Sequence, residues 1–397
     1  MTAPLVRFIA IRSADELAAQ ILSVALGWYV YSVTHSPMSL AYAGLAQFAP
    51  NAAMALIAGH AADRFERRTV IGCSLLFQTV CVAAFAGWTV IAKPAAGPVY
   101  LLLFLMGAAR SFGSPTMSAT LPNIVGADEF PRAVASSSSA FQICTIAGPA
   151  AGGLIYAVCG RAVFLVAAVL YFAAMTQAWR LPVGARLEAV ADESMLAGVR
   201  YVRSNRLLLG LLSLDLFAVL LGGVTALLPI YAKDILAVGP MGLGCLRCAP
   251  GVGAAIVGLI LARRSMERGA GRMMLSCVAG FGAATVVFAL STNFWLSLVA
   301  LATAGGFDMV SMVIRHTLVQ TATPDAMRGR VSAINWVFIG ASNELGEFES
   351  GAAAALFGTV PTAVLGGLGT LAVVGLWMIL FPELQRTAEG QLAASAD

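Results

Sequence analysis

The sequence predicts an all-α membrane protein with twelve transmembrane helices in two pseudo-symmetric six-helix bundles. Three observations predict it: 59% of the 397 residues are hydrophobic and 11% are charged, long apolar runs recur along the whole chain, and Arg and Lys concentrate in alternate loops. A soluble domain carries about 25% charged residues, so this chain would lack a polar surface in water. Lipid as the outer solvent removes that requirement. A spanning helix needs about 20 mostly apolar residues, and twelve of them with short connections account for the length. The net charge of +4 does not point to a nucleic-acid partner.

The first apolar run covers about residues 8–33 and carries Arg12, Asp15 and Glu16. It is longer and more charged than the h-region of a cleaved signal peptide, so it reads as the first span. Further runs follow at about 40–61, 69–92, 98–121, 133–156 and 161–181. After a gap they resume at about 207–231, 242–262, 273–291, 295–321, 331–357 and 362–381. The chain therefore divides into a first bundle at 1–181, a connection at 182–206, and a second bundle with a short tail at 207–397. The connection carries Glu188, Asp192 and Glu193 among its charges and reads as a cytoplasmic linker with some amphipathic helix. A regulatory or partner site is the alternative reading for it.

Seventeen arginines, from Arg7 to Arg386, fall in one set of loops and termini, against Lys93, Arg161 and Lys233 in the other. The positive-inside rule puts both termini in the cytoplasm of a multi-pass inner-membrane protein. Arg outnumbers Lys 22 to 2, which points to a GC-rich, bacterial coding sequence.

The two halves resemble each other at an offset near 200. Ser13-Ala14-Asp15 matches Ser213-Leu214-Asp215, Ala18 meets Ala218, and Tyr31 meets Tyr231. Glu66-Arg67 meets Glu267-Arg268, and Leu121 and Asp128 meet Leu318 and Asp325. Repeats of this kind build central sites between two halves of transporters. Chance similarity among apolar helices is the competing explanation.

The connection after the second span reads Gly59-His60-Ala61-Ala62-Asp63-Arg64-Phe65-Glu66-Arg67-Arg68. Gly59 permits close backbone approach. Asp63 can accept from an arginine on a neighbouring helix, while Arg64, Arg67 and Arg68 suit an anionic inner leaflet. Such a cluster can act as a gate, although plain positive-inside charge also explains the arginines. The fifth span carries Gly148-Pro149-Ala150-Ala151-Gly152-Gly153, whose small residues allow close helix approach and whose proline permits a bend; ordinary packing is the plainer reading.

These segments resemble signatures of the major facilitator superfamily. Family copies often carry Leu where Ala61 stands and Gly where Glu66 stands. Arg110-Ser111-Phe112-Gly113-Ser114-Pro115, followed by Leu121-Pro122, is similar to the branch containing bacterial siderophore and macrolide exporters. Gly148 to Gly153 is similar to the end of the antiporter signature, without its upstream glycines. The resemblance implies two six-helix bundles rocking around a central cavity, alternating access, and export driven by inward proton flow.

Charges deep in spans are costly and usually face a cavity or a partner. Here they are Arg12, Asp15 and Glu16 in the first span, Arg110 in the fourth, Asp215 in the seventh and Arg247 in the eighth. Asp308 and Arg315 follow in the tenth, and Glu344, Glu347 and Glu349 in the eleventh. Arg12 stands three and four residues before Asp15 and Glu16, which allows local pairing. Arg110 suits backbone carbonyls, a first-span acid or substrate, and Arg247 suits snorkelling. Asp308 and Arg315 each need a partner elsewhere. The three glutamates suit water, arginine or a proton, or a structural ion-pair network. Asp15 and Asp215 stand at matching positions. The first is expected to serve substrate or gating and Asp215, without a cation nearby in sequence, to carry the proton; permanent pairing with Arg110 or Arg315 is the alternative.

The function expected is proton-coupled efflux of a small amphipathic molecule, drug- or siderophore-like, by a monomer in the lipid bilayer with the proton as coupling ion. Rivals are nutrient uptake by the same fold, a membrane sensor or assembly factor, and an integral membrane enzyme. Against the enzyme, the sequence has no GxSxG, no P-loop and no metal-spaced cluster; no cofactor or metal is expected. His35, His60 and His316 are scattered, and Cys245 and Cys248 form a lone CxxC within a span. Trp28, Tyr29 and Phe48 suit a cavity wall or lipid packing equally.

Overall fold

The computed structural model describes residues 2–126, 128–182, 195–263 and 269–386, without the side chains of 55–63, 195–197, 325–326, 333, 336–337 and 341. The described residues form helices and no strands. In hydrocarbon no water is present to satisfy a backbone N–H or C=O, so a spanning segment must close its hydrogen bonds internally. The contacts divide the chain into two compact units. One is Met1–Val190 with Pro229–Cys248, and the other is Ala191–Leu228 with Ala249–Asp397. Pro229–Cys248, which the sequence assigns to the second bundle, packs in the first unit.

The first unit begins with α1 (Ala3–Thr34), α2 (Pro37–Arg64) and α3 (Arg67–Ile91). It continues with α4 (Gly97–Ile124), α5 (Phe130–Cys159) and α6 (Val163–Ala178). A proline in the first turn starts α1, α4 and α5, where its fixed φ suits the helix and its missing N–H costs nothing. The first helix starts five residues earlier than the apolar run indicates, because its opening turn tolerates Arg7 at the helix end. Gly59 to Arg64, expected in a loop, belong to the last turns of α2, and only Phe65 and Glu66 connect it to α3. α1 lies against α5 and α6, and α4 against α2 and α3. Tyr29, Phe85 and Phe164 join α1, α3 and α6 through edge-to-face contacts with centroids 4.9–6.1 Å apart. Arg161 donates to the Thr89 carbonyl at 2.8 Å, satisfying an end group of α3.

The second unit opens on α7 (Met195–Ser204), which buries Val202 and exposes Arg200 and Arg203. This is the amphipathic helix expected in the connection, whose residues 183–194 lie outside the described ones. α8 (Arg206–Gly222) follows, its first N–H groups capped by the Asn205 side chain. The seventh span is not the single α-helix its apolar run predicts. After Gly222 it becomes a 3-10 turn at Thr225–Leu227, a short α9 (Leu228–Ile230) and a π turn at Tyr231–Ile235. Gly222-Gly223 weakens the helix at that point. The remaining helices are α10 (Gly239–Leu261), α11 (Ala270–Leu290), α12 (Phe294–Thr321), α13 (Asp325–Phe357), α14 (Thr359–Leu380) and α15 (Glu383–Arg386).

Eight stretches among the described residues are long and apolar enough to cross a membrane: α1, α3, the joined α5–α6, 206–235, α10, α11, α12 and α14. The sequence predicts twelve. α2, α4 and α13 fall outside the eight; Arg110 and Glu344 are among the residues that lower the apolar character of α4 and α13, and the side chains of 55–63 in α2 lie outside the described ones.

Candidate functional site: polar groups inside the helices

In the first unit the close approach of α1 and α5 sets the geometry. A Cβ on Gly148 would lie 2.5 Å from Gln20 Cβ, and one on Gly152 would lie 2.8 Å from Ile21 Cα. Between bilayer-embedded helices packing replaces the hydrophobic driving force, so these bare positions decide the contact. Pro149 stands between them, inside α5. Gly153 has a different neighbour: its Cβ would meet the Pro240 carbonyl oxygen at 2.5 Å. The small-residue motif thus serves two contacts.

That approach brings polar side chains of both helices together. Arg12 does not pair with Asp15 or Glu16. It donates to Ser137 Oγ on α5 at 3.0 Å, and its guanidinium lies 4.6 Å from the centroid of the Phe141 ring. Glu16 is 5% exposed. It accepts from Gln20 at 2.7 Å and Thr145 at 3.1 Å, and forms an ion pair with Arg110 of α4 at 3.8 Å. Of the readings open for Arg110, a first-helix acid is one that the structure provides. Asp15 is close by, and its Oδ1 is buried with no hydrogen-bond partner among the described residues. Tyr171 of α6, fully buried, lies within electrostatic range of Asp15, Glu16 and Arg110.

Two further contacts join Pro229–Cys248 to α1. Tyr31 donates its hydroxyl proton to Asp234, with the Lys233 ammonium 5.7 Å from the Tyr31 ring centroid. Arg247 donates to Ser23 Oγ, so its guanidinium reaches a helix partner rather than extending along the helix to the interface as expected. The Cys248 thiol donates to the Cys245 carbonyl of its own helix.

In the second unit Asp215 of α8 forms an ion pair with Arg315 of α12, and the two side chains are 11% and 7% exposed. Asp215, without a cation nearby in sequence, thus has one in space. Asp308, on the same helix as Arg315, is exposed at mid-helix and forms no hydrogen bond or ion pair among the described residues. Glu344, Glu347 and Glu349 are half-buried on α13. Ser350 beside them donates to the Gly223 carbonyl at 2.8 Å, fixing α13 at the break in the seventh span.

At the α2–α3 turn the side chains of Gly59 and Asp63 lie outside the described ones, and Arg64 is exposed. Arg67 donates to the Ala119 carbonyl of α4 at 2.6 Å, and Arg68 pairs with Glu66 at 2.9 Å. Sequence reasoning missed Gln20, Ser137, Thr145 and Tyr171. The serine run 136–139 in an otherwise apolar span was the available signal for Ser137; a lone Gln, Thr or Tyr carries none.

A family model described as transmembrane secretion effector matches residues 6–397. The enterobactin exporter EntS of Escherichia coli is 28% identical over 394 residues, covering 96% of this chain and 91% of that protein. The same figures hold for the Shigella boydii and Escherichia fergusonii proteins of that name. Among solved structures, the nucleoside transporter NupG aligns with TM-score 0.74 at 12% identity, over 96% of this chain and 99% of that one. A bacterial homologue of the human lysosomal transporter Spinster, inward-facing and occupied, aligns at 0.72 with 11% identity over 98% and 96% of the two chains. At these identities the structures speak for the fold alone. The relatives are transporters rather than enzymes.

Proposed function

We propose, from the premise that this chain belongs to the transmembrane secretion effector family and is a multi-pass membrane transporter of the major facilitator type, that it exports a small amphipathic molecule in exchange for protons. The name of its exporter relatives supports the outward direction, and the buried acids support the coupling. The observation that carries the reading is the group on α1 and α4. Two adjacent carboxyls, Asp15 and Glu16, adjoin Arg110, and it pairs with Glu16. The second carboxyl leaves a charge that a proton can neutralise. Asp15 lies twelve residues from the start of α1, about 18 Å along the axis, beyond easy solvation from the interface. A charge at that depth costs several kcal/mol unless a partner, water or a proton compensates it.

Asp308 supports the same reading from the second unit. An exposed carboxylate in the middle of a span cannot face hydrocarbon, so we assign it to a water-lined route. Asp215, closed against Arg315, we assign to holding α8 on α12. The topology proposed is twelve spans in two bundles, with the joined α5–α6 stretch counted as two spans, α2, α4 and α13 added to the eight stretches, and both termini in the cytoplasm. The site alternates in exposure between the two membrane faces, in the inner membrane of a bacterium, with the protein acting as a monomer.

The test is efflux of a labelled panel of amphipathic compounds from proteoliposomes carrying an imposed pH gradient and no ATP. Transport against a concentration gradient should collapse on adding an uncoupler. Uncoupler-insensitive accumulation rejects proton coupling, and accumulation only in the direction of the proton gradient favours uptake.

A further inference from the structure

Two spans change neighbours partway along their length, and each change falls where the helix is weak. α10 starts in the first unit, where a Cβ on Gly244 would lie 2.5 Å from the Pro149 carbonyl oxygen of α5 and one on Gly153 would lie 2.9 Å from Gly244 Cα. Past Cys248 the same helix belongs to the second unit, where a Cβ on Gly253 would collide with the Ala302 carbonyl oxygen of α12. Pro250 stands beside the change. A proline inside a helix removes the bond to the carbonyl four residues back and permits a kink. The seventh span behaves alike. Its α8 is held on α14 by Trp377 and Thr370. Beyond Gly222-Gly223 and the 3-10 turn at Thr225–Leu227, the chain joins the first unit at Pro229.

Pro229–Cys248 is thus one piece, packed in the first unit and strung between two weak points. Its seal has a bare centre and a polar rim. Gly153 and Gly244 bring α5 and α10 together without side chains, so nothing interlocks there. At the rim the Tyr31 hydroxyl donates to Asp234, with the Lys233 ammonium near the same ring. A hydrogen bond to a carboxylate is about twice as strong as a neutral one. Tyr31 lies three residues from the end of α1, where both partners can exchange their bond for water. Deeper in, Arg247 donates to Ser23, whose hydroxyl can turn to a carbonyl of its own helix when that bond is lost. Release therefore strands no polar group in hydrocarbon, as a permanent weld would not require.

We infer that Pro229–Cys248 is a lid on the outer end of the first unit, hinged at Gly222-Gly223 and at Pro250 and latched by Tyr31 and Asp234. Lifting it uncovers Ser23 of α1 and Ala150 of α5. The word outer rests on the proposed topology, in which α1 ends outside.

The experiment places a reporter under the lid. Ala150 lies about 14 Å from the end of α5, and a Cβ on Gly244 would approach its Cα to 3.2 Å. Ala150→Cys is made in the full chain without other cysteines and exposed, in right-side-out vesicles, to a membrane-impermeant methanethiosulfonate. Tyr31→Phe, which keeps the buried ring, and Asp234→Ala should each raise the labelling rate about tenfold, the worth of one hydrogen bond to a charged group, without lowering the melting midpoint. Combined, they should raise it no further, because both act through one bond. In a Tyr31→Cys/Asp234→Cys variant, a reducible bifunctional thiol reagent should stop gradient-driven efflux of the amphipathic panel, and reduction should restore it. Unchanged labelling in both latch variants, additive effects, faster labelling only with a lowered midpoint, or full transport by the cross-linked protein would each overturn the lid. Labelling that rises only from the cytoplasmic side would instead reject the proposed orientation, and latch-dependent labelling from outside without proton-driven transport of any compound would reject the export reading; both leave the lid and its latch standing.

Discussion

Neutralising Asp215 should damage the protein's stability before it damages energy coupling. Asp215 and Arg315 face each other with 11% and 7% exposure, and α8 is held in place independently of the pair. Trp377 Nε1 of α14 donates to the Gly210 carbonyl of α8 at 3.1 Å, and Thr370 donates to the Ala218 carbonyl at 3.1 Å. α8 is therefore pinned about one turn on either side of Asp215, so α8 cannot shift to relieve a change at that position. Asp215→Asn leaves a buried guanidinium without its counter-charge. Removing one partner of such a pair costs about 3–5 kcal/mol, whereas replacing both by apolar groups of similar volume is often neutral or stabilising. Asp215→Asn and Arg315→Gln should each lower the thermal midpoint in detergent by several degrees. The Asp215→Leu/Arg315→Met double variant should recover most of the loss. Counterflow, which needs no net proton movement, should fall with stability in the single variants and return in the double one. The reasoning fails if Asp215→Asn keeps the wild-type midpoint and loses gradient-driven transport alone, because Asp215 would then be the proton carrier.

The remaining predictions concern packing, the gate and topology. Gly152→Leu should prevent α1 and α5 from closing, costing about 1–3 kcal/mol and most transport, because even a Cβ meets Ile21 Cα at 2.8 Å; Gly87→Leu, where a Cβ meets nothing within 4 Å, should be silent in the same expression and melting assays. Arg67→Ala removes the bond to the Ala119 carbonyl and should slow turnover more than it weakens substrate binding; loss of affinity with an unchanged maximal rate would count against a gating role. Cysteines replacing Ser36 and Thr292 in a cysteine-free background should label from outside the cell and one replacing Ser265 should not, and the reverse pattern would invert the proposed orientation.

Apolar length and arginine placement carried the helices because lipid imposes one rule along the whole chain: a segment of sufficient length must be helical. Helix ends were less legible. α1 and α13 run several residues beyond their apolar runs, since charged residues are tolerated where a helix leaves the bilayer. The break after Gly222 was hidden by an apolar run that reads the same whether the backbone forms α, 3-10 or π turns. Partners were the least legible. Arg12 stands one turn before Glu16 yet bonds Ser137, 125 residues away, because the bare faces of Gly148 and Gly152 bring α5 within reach. Nothing in local spacing reports that choice.

The two arginine–acid pairs occupy the same topological place, first helix to fourth helix of each half, but their arginines stand at different distances from the helix ends. Glu16 lies thirteen residues from the start of α1 and Arg110 fourteen from the end of α4, about 20 Å along each axis. Asp215 lies nine residues into α8 and Arg315 six from the end of α12, about 14 Å and 9 Å. Arg315 therefore lies nearer the end of its helix than Arg110 does. Asp15 and Asp215, which the repeat aligns, are seven and eight residues into their apolar runs and stand at matching depth. The residue of α12 that matches Arg110 in depth is Asp308, thirteen from the helix end and offset by 198, within the range of the repeat. One half thus carries a cation at this level and the other an exposed carboxylate. Asp215 and Arg315 are both almost fully buried and neutralise each other, so the pair serves mainly to hold helices. A charge at mid-membrane is solvated only when a route opens to it. Its balance of proton, partner and ligand must therefore change with access, and on the proposed reading coupling falls to Asp15, Glu16, Arg110 and Asp308, with Asp215–Arg315 as the brace.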